Sequence, residues 1–220
     1  VEAAIKLARQ STQRPRVIAT SKGFHGRTLG ALSATWEPKY REPFAPLIPG
    51  FAHMPYDKLD ALDAAVTDQT AAVLIELVQG EGGVRPASPA YVAGVAELCL
   101  PRGALLVVDE VQTGFGRVGR LWASQLYGIT PDLIALAKSI AGGLPMGAVG
   151  IHGRFGALPQ GSHGSTFGGG PLVCAAARAA LRERTERDLP GQAAAKGEYL
   201  AGKLRGLGLA RVREVRGQGL

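Results

Sequence analysis

Five short runs of the chain, RVIAT (16–20), AAVLIE (71–76), ALLVVDE (104–110), DLIALA (132–137) and MGAVGI (146–151), are apolar at almost every position. They show neither the two-residue alternation of a half-exposed strand nor the 3.6-residue period of a helix. Strands of that kind need cover on both faces, the condition met in a mostly parallel sheet with helices on either side. Helix-like segments lie between and after them. DKLDALDAAV (57–66) opens on Asp57 as a cap. Ser88 and Pro89 form a cap and first-turn pair, after which Val92, Val95, Ala96 and Cys99 recur at helical spacing. PLVCAAARAALRERTERD (171–188) and the stretch from Gln192 to Leu207 supply two more. The expectation is an α/β fold with a mostly parallel central sheet and helices on both faces. Ligands in such sheets bind outside the carboxyl ends of the strands. The polar residues there are Glu76, Asp109, Glu110 and Lys138, with the FHGRT loop (24–28) shortly after the first run.

Composition removes several classes. A chain of 220 residues, 46% hydrophobic, can bury a core of one large domain or one and a fraction. No stretch approaches the roughly 20 apolar residues needed to cross a bilayer, and VEAAIKLAR lacks the basic-then-apolar order of a signal peptide. A soluble, cytoplasmic protein is expected. Cys99 and Cys174 are far apart and without metal-ligand spacing, so buried thiols and no metal are expected. The net charge of +7 invites a nucleic-acid reading. The basic residues are spread out, however, and in RERTERD (182–188) acids interleave with them as on a solvated helix face. The excess of positive charge is better matched to anionic ligands or an acidic protein partner.

Two motif readings fail on their own terms. LLVVDE resembles the magnesium-binding strand of a P-loop ATPase, but no G-x-x-x-x-G-K-[ST] accompanies it. GFGRVG (114–119) spells G-x-G-x-x-G, yet the place about 20 residues on, where a ribose-binding acid belongs, holds Lys138. A carboxylate and a lysine on neighbouring strand ends suit a different chemistry. A pyridoxal phosphate enzyme uses a lysine to hold the cofactor and an aspartate to keep its ring nitrogen protonated. The LIALA run would desolvate such an amine. Taken singly, Asp109 reads equally well as a helix cap or ion-pair partner, and Lys138 as a snorkelling surface lysine.

Five motifs, GFHGRT (23–28), VQGEGG (78–83), DEVQTGFGR (109–117), PDLIALAKSIAGGLPMGA (131–148) and HGSTFGGGPL (163–172), occur in the order and spacing of the class III aminotransferases. The resemblance runs from residue 1 to 220. It implies the large domain of a fold-type I pyridoxal 5'-phosphate enzyme over 1–188, with 189–220 as a connecting helix and the start of a small domain. It also implies an active site between two subunits of a homodimer. By resemblance, Lys138 holds the cofactor and shuttles protons, and Asp109 partners the ring nitrogen. Val111 and Phe24 sandwich the ring, Gln112 bonds its hydroxyl, and Thr166 reaches across the dimer to the phosphate. Arg27 resembles the arginine that takes the α-carboxylate of 2-oxoglutarate or glutamate. Glu81 is similar to the glutamate that pairs with a second substrate-binding arginine, and Glu76 to a supporting acid near Gln112. Phe24 and Val111 also read as core residues, and Arg27 as structural. His25 and His163 read as loop-shaping hydrogen-bonders; His53 and His152 carry no signal. Glycines 168–170 suit either a tight turn or a phosphate loop.

Leu77 and Gly170 depart from the family, which has proline and asparagine there. The chain begins just after the place of the family's Ser-Gly-Thr phosphate loop and ends before the arginine that Glu81 would meet, so parts of the site are expected to be missing. An arginine in the FHGRT loop favours true transamination over aminomutase chemistry. SATWEPKYREPFAPLIPGF (33–51) most resembles acetylornithine aminotransferases, and TWEPKYREPF within it the branch acting on aminoadipate semialdehyde carried by an acidic amino-group carrier protein. The implied reaction moves an amino group between glutamate and the ω-aldehyde of an N-blocked amino acid, in arginine or lysine biosynthesis. Ornithine-type or 4-aminobutyrate-type transamination, or an inactive homologue, are the alternatives.

Overall fold

A computed structural model describes residues 1–155 and 159–220. Among the described residues eight strands, β1 (Arg16–Thr20), β2 (Phe51–Met54), β3 (Thr70–Ile75), β4 (Val78–Gln79), β5 (Arg85–Pro86), β6 (Leu105–Asp109), β7 (Leu133–Leu136) and β8 (Ala148–Ile151), form two sheets. The larger has the order β2-β1-β3-β6-β7-β8, and β4 and β5 pair as a small separate ribbon. All five predicted strands are present. Four neighbouring pairs are parallel, with Val73 opposite Leu106 and Val108 opposite Ile134. The last strand, β8, runs antiparallel to β7, with Ile134 opposite Gly150. A parallel return needs a crossover of a dozen or more residues, usually a helix, and the link between β7 and β8 carries only a short 3-10 turn over Lys138–Ala141. Gly150 is required at its position, since a β-carbon there would lie 2.4 Å from Ile134 Cγ2.

Alternate residues of the continuous apolar strands feed two cores, which explains why the strands lack a polar face. On one side Ile18, Val73, Ile75, Leu106 and Val108 pack with Leu62 of α4 (Leu59–Ala65) and with Val92, Val95 and Cys99 of α5 (Pro89–Arg102). On the other, Val17, Ala72, Leu74, Val107 and Leu133 meet Ile5, Leu7 and Ala8 of α1 (Glu2–Thr12). Ser88 caps α5 as expected, accepting from the Tyr91 N–H at 3.3 Å. Asp57 does not cap α4, which starts after Lys58 with no side-chain cap. Its carboxylate accepts from the Ser88 N–H (2.9 Å) and hydroxyl (2.8 Å), bracing the start of α5. Cys99 is buried as expected, burial pushing its thiol up to about 12, but Cys174 is only half-buried.

Two short helices, α2 (Leu29–Ala34) and α3 (Pro38–Arg41), follow the FHGRT loop. The turn α6 (Ala123–Leu126) precedes β7, and α7 (Pro171–Glu186) and α8 (Leu189–Gly206) follow the sheet. The α8 helix starts three residues earlier than predicted because Asp188 caps it, accepting from the Gly191 N–H. RERTERD is not solvated throughout: Arg184 turns inward, its guanidinium 5.2 Å from the Phe115 ring centre and bonded to the Ser139 carbonyl. The end of the chain returns to residues 117–118, where the Leu220 N–H donates to the Arg117 carbonyl at 3.1 Å. Among the described residues no helix is long and apolar enough to cross a membrane.

Candidate active site

The strand-end residues lie at the carboxyl edge of the sheet, where the sequence places them. Asp109 closes β6 and is 5% exposed. Its Oδ1 accepts from the Val111 N–H at 3.0 Å, and its Oδ2 lies 2.8 Å from His25 Nδ1. It is therefore a buried hydrogen-bond partner of His25 and caps no helix. Capping falls to the next residue, Glu110, which is wholly buried. Its carboxylate accepts from the N–H groups of Ala123 (2.7 Å) and Ser124 (2.8 Å) at the start of α6, and from the Thr113 hydroxyl (2.8 Å).

Glu76, one residue beyond β3, ties two loops together. Its carboxylate accepts from the Phe24 N–H at 2.9 Å and the Gly80 N–H at 3.4 Å. Burial pushes its carboxyl up to about 7; the charge of Asp109 acts in the same direction, and His25 and the two N–H donors oppose it. Gln112 is its neighbour through Gly80. A β-carbon at position 80 would fall 2.0 Å from Gln112 Oε1, so glycine leaves the space that the amide fills.

Lys138 follows β7 after one intervening residue, Ala137, and lies three residues after Ala135, whose register partner is Asp109. Its φ of 41° lies in the left-handed region, sparsely populated for side-chain-bearing residues. The apolar run does not desolvate it: Leu133 and Ala135 are buried, but Lys138 is exposed. Among the described residues no carboxylate lies within ion-pair reach of its ammonium. Lys138, Gln112, Thr113 and Gly80 line one cavity of about 530 Å³, with Gly217–Leu220 as another wall.

Phe24 and Val111 are half-buried. Phe24 packs edge-on against Tyr40 with ring centres 5.8 Å apart. Arg27 is exposed, its guanidinium 4.1 Å from the Tyr40 ring centre and 5.5 Å from that of Phe24. Glu81 shares a second cavity, about 340 Å³, with Lys22, Phe24, Trp36, Lys39 and Tyr40. Thr166 is exposed and lines neither cavity, so the chain alone does not bring it to Asp109 and Lys138.

Sequence reasoning missed two participants. His25 is not a loop-shaper only; its buried ring bonds Asp109, while its backbone N–H donates to Thr35 Oγ1 at 2.9 Å. Tyr40 supplies the aromatic face beneath Arg27, and its position in TWEPKYREPF beside a loop rich in cations was the available signal. The other histidines stay outside the cluster, His53 bonded to the Ala34 carbonyl and His152 accepting from the Arg154 N–H. GFGRVG forms a turn instead of opening a helix: Gly114 packs on the Glu110 carbonyl, and Gly116 and Gly119 have positive φ. Among the described residues no cluster of three His, Cys, Asp or Glu could hold a metal.

Comparison with known proteins gives the family. The aminotransferase class-III family matches the chain over residues 1–220. An acetylornithine aminotransferase of Methanothermobacter thermautotrophicus is 49% identical over the whole chain, which covers 57% of that protein. A LysW-aminoadipate semialdehyde transaminase of Deinococcus radiodurans is 48% identical, with 52% of its length covered. Among solved structures, ornithine aminotransferase from Toxoplasma gondii superposes on the whole chain with a TM-score of 0.95 at 36% identity, over 55% of its own length. An amine transaminase from an uncultivated Pseudomonas species, in its PLP-bound form, gives 0.89 at 35% identity, over 58%. The chain thus spans little more than half the length of these relatives, and throughout that span it belongs to the class-III aminotransferase family.

Proposed function

We propose that this chain carries the cofactor-binding core of a pyridoxal 5'-phosphate-dependent transaminase. The observation that carries the reading is the register of β6 and β7. It puts the buried Asp109 carboxylate and Lys138 on adjacent strand ends, with Lys138 opening with Gln112 into one cavity. The residues fit the cofactor. Asp109 is held from behind by the Val111 N–H and the His25 ring, Phe24 and Val111 offer apolar cover on the same loops, and glycine at position 80 makes room for Gln112. When bound, the cofactor supplies an aldehyde that condenses with amines and a cationic ring that takes up the electron pair released at the substrate carbon.

The protein's part is to position and to move protons. Asp109 would be the partner of the cofactor's ring nitrogen, an interaction that burial would strengthen. Lys138 Nζ would hold the cofactor and move a proton at the substrate carbon. Gln112 would bond the ring's hydroxyl. Arg27, steadied by Tyr40, presents a fork suited to an α-carboxylate, and Glu81 borders the same approach from the Phe24 side.

The substrates proposed are glutamate or 2-oxoglutarate and the ω-aldehyde of an N-blocked amino acid, acetylornithine-type or carrier-bound, as the names of the two relatives suggest. An acidic carrier protein would meet a chain with net charge +7. The working unit is a homodimer, with Thr166 reaching the partner's cofactor phosphate. The chain divides near residue 188 into the large domain and the start of a smaller one. The test is transamination by the full-length protein with glutamate as donor. Conversion of N-acetylglutamate semialdehyde or the carrier-bound semialdehyde far ahead of glutamate semialdehyde supports the reading. Preference for the unblocked aldehyde transfers it to the ornithine type, and no turnover of any acceptor contradicts it.

A further inference from the structure

One cation of the RERTERD stretch has no part in the proposed reaction and does not face water. Arg184 lies in the last turn of α7, where a basic side chain ordinarily serves the carbonyl end of its own helix. Its guanidinium goes elsewhere. Nη2 donates to the carbonyl of Ser139, the residue after Lys138, and the guanidinium carbon stands 5.2 Å from the Phe115 ring centre. Nη1 is buried with no hydrogen-bond partner among the described residues, so the aromatic face is what the cation meets in place of water. Two of the interleaved acids serve other groups: Glu183 pairs with Arg187 at 2.6 Å, and Asp188 caps α8.

Phe115 belongs to the GFGRVG turn after β6 and Ser139 to the 3-10 turn after β7. A single side chain on α7 therefore joins the two loops whose residues Gln112, Thr113, Lys138 and Ser139 line one cavity. The Ser139 carbonyl that Arg184 grips also accepts from the Gly142 N–H at 3.3 Å, the bond that closes the 3-10 turn. Beneath it, Ile140 and Ala141 are buried with Phe115 and pack against Ala176 and Ala177 of α7. Lys138 itself is exposed, with its φ of 41°. Such a backbone angle on a residue with a side chain persists only where the surroundings over-determine it.

We propose that Arg184 is a positioning residue for Lys138: by gripping the Ser139 carbonyl and stacking on Phe115, it locks the left-handed turn that presents the Lys138 amine to the cavity. The purpose of the grip rests on the cofactor-binding reading of Lys138. The grip itself belongs to the protein and is measurable without cofactor. Arg184 does not line the cavity; it acts through Ser139. An arginine that served only to pack α7 against the sheet would do so with its apolar stem, whereas the proposed role needs the donor and the charge at its end.

The experiment follows hydrogen–deuterium exchange of residues 138–144 in cofactor-free full-length protein, and then titrates the same samples with pyridoxal 5'-phosphate by absorbance. Wild type is compared with Arg184→Met, which keeps the stem, and Arg184→Lys, which keeps a charged donor. In the methionine variant the Ile140 and Gly142 amides should exchange faster by about tenfold or more, as for loss of one hydrogen bond from a charged donor. Exchange in β6 should stay as in wild type, and the cofactor's dissociation constant should rise by a similar factor. Lysine should return both readouts most of the way. If methionine prevents folding, Arg184→Gln, whose amide is too short to reach Ser139, takes its place. Unchanged exchange at 138–144 in the folded neutral variant overturns the proposal. Equal acceleration in Arg184→Lys overturns it as well, and so does acceleration shared equally by β6, which would make Arg184 a general support of the fold. If exchange follows Arg184 as expected while wild-type Lys138 takes no cofactor, the grip stands and the cofactor reading falls.

Discussion

At the scale of residues, Glu76 and Asp109 are buried carboxylates in contrasting settings, and two measurements separate them. Glu76 is raised from 4.5 to about 7. The unfolded chain therefore releases this proton at lower pH than the folded one. Between those values the folded state binds more protons, and stability from this group declines as pH rises, levelling above 7. Glu76→Gln should flatten that slope in denaturant unfolding followed from pH 4.5 to 7.5; an unaltered slope would place its cause elsewhere. Asp109→Asn removes the charge and keeps the shape. If Asp109 serves the ring nitrogen as proposed, losing about 3 kcal/mol of that charge interaction lowers kcat by about 10²-fold, while the amide oxygen still accepts from the Val111 N–H and the fold is kept. A variant of near wild-type kcat would remove Asp109 from the chemistry. Asp109 and Lys138 were legible only as a pair, since either alone reads equally well as a structural charge; the register of β6 and β7 sets them on adjacent strand ends. His25 was not, since a histidine beside Phe24 in a glycine loop looks the same whether it shapes the loop or reaches β6. The exposure of Lys138 was equally hidden: what covers an amine depends on surfaces that its own strand does not contain.

At the scale of elements, the strands were legible because burial on both faces imposes a continuous apolar pattern, and α5 because Ser88 and Pro89 announce it. The half-buried edge strand β2 escaped, its FAHM carrying no such pattern. Asp57 misled for a physical reason: a carboxylate near two helix starts can brace either, and it bonds Ser88, the cap of the later one. Glu110 shows the same principle at long range, capping α6 from 13 and 14 residues away. Glu110→Ala would leave the Ala123 and Ser124 N–H groups and the Thr113 hydroxyl unpaired in the interior, at about 1–3 kcal/mol each. Equilibrium unfolding should show a loss of about 3 kcal/mol or more, and a loss below about 1 kcal/mol would contradict the assignment.

At the scale of the whole molecule, two cores hold a sheet whose carboxyl edge gathers the loops after β1, β3, β6 and β7, and the candidate site is built from those loops. This much follows from the strand pattern, because parallel strands send every following loop to the same edge. The reversal of β8 did not follow, since it depends on the lack of a helix between Leu136 and Ala148. The segment around Thr166 presents Phe167, 88% exposed, and Leu172, 75% exposed. Apolar side chains so uncovered suit contact with a second subunit. If the full-length protein forms the proposed homodimer, Leu172→Asp should weaken it by about tenfold or more in sedimentation, as expected for loss of an apolar contact of about 1.4 kcal/mol or more; unchanged association would contradict an interface at this segment.

The central claim, that Lys138 is the residue that holds pyridoxal 5'-phosphate, has a direct test. The full-length protein is incubated with the cofactor, reduced with borohydride and digested, and the labelled peptide is located by mass spectrometry. The account predicts stoichiometric label on Lys138, with none in Lys138→Ala. A folded protein that takes up no label at Lys138, or carries it on another lysine, would contradict the account.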